Sequence, residues 1–88
     1  MKKIYLGTNW KMHKNLSDSK KYLEKLKSNL NDINFKNFEI FLIPPYTALE
    51  LTKKELQQSN IIYGAQNMHW KNEGAYTAEI SPKMLKDY

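Results

Sequence analysis

An α/β fold with parallel strands is what this sequence predicts. Three observations point there. Short apolar runs at Ile4–Leu6, Phe38–Ile43 and Ile61–Ala65 alternate with stretches carrying leucine at helical spacing. The middle run is almost continuously apolar, as suits a parallel strand covered on both sides. The chain between runs is long enough for helical crossovers rather than hairpin turns.

The first strand is expected over Ile4–Asn9. A helix should follow from about Ser17, a plausible N-cap, with Asp18 at its positive end. Leu16, Leu23, Leu26 and Leu30 form its apolar face, and the lysines and glutamates between them fill a solvated one. An asparagine-rich return, Asn29 to Asn37, leads into the second strand, Phe38–Ile43, which Pro44-Pro45 ends. Thr47-Ala48-Leu49-Glu50 reads as a capping box for a second helix running to about Gln58. A third strand is expected over Ile61–Ala65, and Ser81-Pro82 opens a third helix through Met84 and Leu85.

Composition narrows the function classes. The 88 residues allow one small domain, and a chain of this size buries only about 60–65% of the surface its unfolded form exposes. There is no cysteine, so disulfides and thiolate metal sites are excluded and a reducing, cytoplasmic setting is expected. All fourteen basic residues behind the net charge of +5 are lysine, spread along the chain among acidic residues. Without arginine the usual bidentate reader of guanine and phosphate is missing, so no nucleic-acid partner is expected. The apolar runs are too short for a leader or a membrane span, and no membrane partner is expected. Neither His13 nor His69 has a second ligand at metal spacing, so no metal site is expected.

Two stretches carry candidate chemistry. In an extended chain residues i and i+2 point the same way, about 7 Å apart. Asn9 and Lys11 would thus share one side with Tyr5 and Gly7, while Leu6, Thr8 and Trp10 take the other. An amide beside a cation at a strand end suits an anionic or oxyanion-bearing ligand, though a strand end that merely reaches water looks the same. The second stretch is Gln66 to Glu79, long for a strand-to-helix connection. Met68, Trp70 and Tyr76 argue against disorder. They fit either a partner surface or a lid folded over the following helix.

Four blocks then coincide with one family. Asn9-Trp10-Lys11-Met12, Pro44-Pro45-Tyr46-Thr47, Gly64-Ala65-Gln66-Asn67 and Gly74-Ala75-Tyr76-Thr77-Ala78-Glu79-Ile80-Ser81 resemble triosephosphate isomerase, in the family's order and spacing. The resemblance implies a partial (β/α)8 TIM barrel: residues 1–88 would be the amino-terminal part of a single barrel domain, with its site at the carboxyl ends of the strands. It implies reversible isomerisation of a three-carbon sugar phosphate through an enediolate, without a cofactor, in glycolysis and gluconeogenesis. Lys11 is then the catalytic cation, and Asn9 and Lys11 contact substrate. The family, a standard worked case of acid–base tuning, pairs a glutamate base with a neutral histidine, and those groups follow later strands. The 88 residues alone are therefore expected to be inactive. The resemblance also implies a homodimer through loop 66–79, with Met12, Gln66, Asn67, Tyr76, Thr77 and Glu79 at the interface.

Departures are few. Thr8 and Ala78 stand where the family usually has glycine, and Ala78 is expected to strain its turn. His13 stands where asparagine is common. The run Asn67-Met68-His69-Trp70 also resembles a sister branch acting on four-carbon ketose phosphates. A non-catalytic dimerising fragment is the remaining alternative.

Overall fold

The computed structural model describes residues 2–88. Three parallel strands lie in the order β1-β2-β3: β1 over Ile4–Asn9, β2 over Phe38–Ile43 and β3 over Ile62–Tyr63. Both long strands fall where the apolar runs predict them. The strand β3 is shorter than expected. Ile61 is buried just before it, and the Gly64 amide extends the pairing by donating to Leu42 O at 3.2 Å.

Register fixes the faces, because paired residues of parallel strands project to the same side. Thr8 pairs with Leu42, Leu6 with Ile40 and Ile4 with Phe38. Leu42 sits in the core with Leu23, Leu56, Ala48, Trp10 and Ile61, so this is the helix-covered face. Gly7 pairs with Phe41 and Asn9 with Ile43 on the opposite face. Only Leu42 of β2 is fully buried; the other five residues are half-buried or exposed. The expectation that β2 is covered on both sides fails because helices pack on one face alone.

The helix α1 spans Leu16–Leu30. Its N-cap is Asn15, not Ser17: the Asn15 side chain accepts from Asp18 N at 2.9 Å. Lys14 turns the chain through a left-handed φ of 75° and delivers Asn15 in the extended conformation a cap needs. Ser17 therefore lies inside the first turn. The buried stripe follows the cap: Ser19 and Leu23 are buried and Leu26 and Leu30 pack against the core, while Leu16 is 60% exposed.

After Pro44-Pro45 the chain makes a 3-10 turn, Tyr46–Ala48, before α2, Leu49–Leu56. The capping box does not form. Thr47 is spent inside the turn, and Ala48 holds the cap position without a side-chain hydrogen bond. The helix is instead tied inward by buried Thr52, whose hydroxyl donates to Ala48 O at 2.7 Å. Lys27 and Glu55, 3.0 Å apart, link α1 to α2. The last helix, α3, is one turn, Pro82–Leu85, capped as expected by Ser81 accepting from Met84 N at 3.1 Å. Among the described residues no helix is long and apolar enough to cross a membrane.

Candidate functional site at the carboxyl ends of the strands

Asn9 is the last residue of β1, on the face away from the helices. Trp10 turns the other way into the core, at 4% exposure, against Tyr22 at 5.0 Å between ring centroids. The alternation read from the sequence therefore holds through Trp10 and stops there. Lys11 has left the strand and adopts a left-handed φ of 54°. The i, i+2 argument does not reach it.

Two amides hold Lys11 instead. Asn9 Oδ1 accepts from the Lys11 N–H at 2.8 Å. Gln66 Nε2 donates to Lys11 O at 2.8 Å and to Ile43 O at 3.3 Å. Ile43 O also accepts from Trp10 N at 3.0 Å, so the exits of β1 and β2 share one acceptor. The Lys11 side chain stays exposed. Among the described residues no ion pair engages it. Met12 beside it is 94% exposed.

Loop 66–79 is pinned at its root. The Tyr46 hydroxyl donates to Asn67, facing both its backbone carbonyl and its side-chain oxygen. Partial burial raises the Tyr46 phenol above its ordinary pKa, and the Glu79 carboxylate acts in the same direction. Tyr46 stands in the Pro44-Pro45-Tyr46-Thr47 block without a role assigned to it, and nothing local in the sequence signals a contact made 21 residues away. Farther along, His69 is buried at 8% exposure, with its backbone N–H on Ile80 O at 2.8 Å. Its ring lies against Trp70 and Tyr76, at 4.1 Å and 4.5 Å between centroids. Nδ1 is 3.7 Å from Glu79 Oε2, too far for a hydrogen bond. Nε2 is buried without a partner among the described residues.

The loop is not a lid over α3. Met68, Trp70 and Tyr76 are 54%, 78% and 43% exposed, and Thr77 and Glu79 are exposed beside them. Gly74 takes φ 152°, where a side chain would run into the Tyr76 ring. Ala78 adopts φ 71°, so alanine occupies the left-handed position that the sequence marks as strained. Thr8 sits in ordinary extended strand opposite Leu42 and carries no such strain.

No cluster of metal-ligating side chains occurs among the described residues. A cleft of about 470 Å³ opens at the other end of the sheet between the ends of α1 and α2, among Lys27, Leu30, Phe35 and Ile61. Asn9, Lys11 and Gln66 at the strand exits are exposed.

Successive parallel strands, helices on one face and polar groups gathered at the strands' carboxyl ends define three units of a β/α barrel. Residues 4–88 match the family described as triosephosphate isomerase, and the chain belongs to that family. It is 47% identical over 87 residues to a triosephosphate isomerase of Trichodesmium erythraeum, covering 99% of this chain and 36% of that protein. It is 44% identical over 87 residues to an L-erythrulose-1-phosphate isomerase of Brucella abortus, covering 34% of that protein. The crystal structure of the Bartonella henselae triosephosphate isomerase superposes with a TM-score of 0.83 at 30% identity, over 97% of this chain and 34% of the other. The chain thus spans about a third of the length of the relatives it matches.

Proposed function

We propose that residues 1–88 form the amino-terminal part of a single barrel domain that interconverts dihydroxyacetone phosphate and glyceraldehyde 3-phosphate. The observation that carries this reading is the hydrogen-bonded exit of β1, where Asn9 holds the Lys11 backbone at 2.8 Å and no ion pair engages the Lys11 ammonium among the described residues. In the reaction a base takes the proton from the carbon next to the carbonyl and returns it to the neighbouring carbon. Negative charge builds on the carbonyl oxygen in between. Lys11 would oppose that charge and Asn9 would present its amide to the same ligand. A preorganised cation is most useful where charge develops only in the transition state. A second proton passes from the hydroxyl oxygen to the former carbonyl oxygen, so the isomerisation balances within the substrate and consumes no cofactor. The base and the electrophile belong to parts of the barrel outside these residues. The reading carries the family's cytoplasmic setting in glycolysis and gluconeogenesis.

A second substrate has its own support. Relatives named for L-erythrulose 1-phosphate share 44% identity with the chain, and the run Asn67-Met68-His69-Trp70 resembles that branch. We also propose a homodimer in which loop 66–79 inserts into a second copy, with Thr77 approaching that copy's Asn9 and Lys11. The exposed Met68, Trp70 and Tyr76 support it.

One chimera tests all three readings: this chain replacing the matching segment of the Trichodesmium erythraeum enzyme. Turnover of triose phosphate that falls about 10²–10³-fold with Lys11→Met is expected. An inactive, folded chimera would refute the assignment. A higher kcat/KM on erythrulose phosphate would move it to the second substrate. Thr77→Arg should lower dimer affinity and activity together; an active dimer with unchanged concentration dependence would remove the loop's assigned role.

A further inference from the structure

We propose that His69 is a positioning residue for the docking surface: its ring is the internal strut that holds loop 66–79 in the shape a second copy of the chain receives. The inference rests on the homodimer reading above and deepens it. From Gln66 to Glu79 every residue is exposed except His69, which is buried. Its backbone N–H donates to Ile80 O at 2.8 Å, so residues 70–79 leave the body of the chain and return to it across this hydrogen bond. The ring bridges the two limbs of that excursion. Trp70, on the outgoing limb, lies 4.1 Å away between centroids at an interplanar angle of 29°. Tyr76, on the returning limb, lies 4.5 Å away at 40°. Glu79 N closes a turn on Tyr76 O at 3.2 Å, and Ser81, just beyond the neck, caps α3. Backbone bonds thus fix the base of the loop, and one ring ties its limbs together.

His69 works through its ring faces and not through its nitrogens. Nδ1 stands 3.7 Å from Glu79 Oε2, beyond hydrogen-bond reach, and Nε2 is buried without a partner among the described residues. A buried polar atom left unpaired opposes the folded form rather than holding it. What remains is contact between flat rings, which aromatic and imidazole faces share. The contact matters because of what it carries. Trp70 and Tyr76 rest on His69 and are still 78% and 43% exposed, so the strut presents two aromatic side chains to solvent. Large aromatic anchors dominate protein interfaces. A loop that must be ordered as it docks gives up affinity, whereas one already in shape does not. With its limbs tied through His69, loop 66–79 has its docking shape before a second copy arrives.

In the chimera, His69→Ala removes both ring contacts. Two aromatic pairs are worth on the order of 10- to 100-fold in an equilibrium constant, so the dimer dissociation constant, read by sedimentation equilibrium, should rise by that factor. His69→Phe keeps a flat ring and drops both nitrogens, and a cavity of about 160 Å³ beside His69 has room for the larger ring. This variant should hold the dimer within about threefold of the parent. The loop gives a second readout, taken at dilution where the subunits are apart. Exchange of the His69 and Glu79 amides should quicken on the order of tenfold in His69→Ala and stay at the parent rate in His69→Phe. Amides of β1 and β2 should exchange alike in all three proteins. Equal losses in the two variants would assign the role to the nitrogens and overturn the proposal. Unchanged dimer affinity or unchanged amide exchange in His69→Ala would overturn it too. A parent chimera that stays monomeric, with loop amides that still quicken in His69→Ala, would count against the homodimer reading alone.

Discussion

The strands β1 and β2 carry apolar side chains on the same face of one sheet and meet opposite fates. On β2, Leu42 is 1% exposed beneath α1 and α2. On β1, Ile4 and Leu6 point the same way and remain 47% and 51% exposed. Their chemistry is equal; the cover differs. Stabilisation follows the area removed from water, so β2 contributes to this chain's core and the outer face of β1 contributes little. An exposed apolar strip beside an unpaired strand edge is also a surface on which chains associate.

The comparison can be broken most directly at its buried end. Leu42→Ala should cost about 2–5 kcal/mol, read by urea unfolding, while Leu6→Ala in the 88-residue chain should cost under about 1 kcal/mol. Equal losses would mean that β1 is covered as well. The opposite face gives the next largest effect. A Cβ at Gly7 would lie 2.1 Å from the Phe41 ring, so Gly7→Ala should cost about 1–3 kcal/mol, and Phe41→Leu should recover part of it. Association comes third. The 88-residue chain should self-associate, and the pair Ile4→Ser with Leu6→Ser should shift its sedimentation toward monomer; a monodisperse parent chain would contradict this. The smallest effect concerns Tyr63, which packs against the core on the Leu42 side, and Tyr46 at the loop root. Burial raises both phenols above their ordinary pKa of 10.0, so the folded state holds these protons more tightly than the unfolded one. Their contribution is complete below that value and is lost as pH rises through the folded pKa. Melting temperatures at pH 9 and 11 should diverge, and less so in Tyr46→Phe.

The fold was largely legible because its punctuation is local. Lysines before Ile4 and the proline pair after Ile43 bracket apolar runs, and leucine spacing marks α1. Caps were read less well. Asn15 and Ser17 are both good capping residues, and the choice between them depends on the left-handed turn at Lys14, which composition does not reveal. Thr47 fails as a cap because a 3-10 turn precedes the helix. At the candidate site, Asn9 was placed by strand alternation. The left-handed backbone of Lys11 was not, and one of its hydrogen-bond partners, Gln66, lies 55 residues away in sequence. Close register of distant residues is decided by packing, and no single window of sequence contains it.

The two tryptophans sit in contrasting surroundings, one at 4% and the other at 78% exposure. Trp10 emission should be blue-shifted and lost only when the interior melts. Trp70 should emit near the wavelength of free indole, and its quenching by iodide should disappear when another molecule settles on the loop. With Trp70→Phe as the reference, the chain carries an optical readout of docking separate from one of unfolding, with no dye attached.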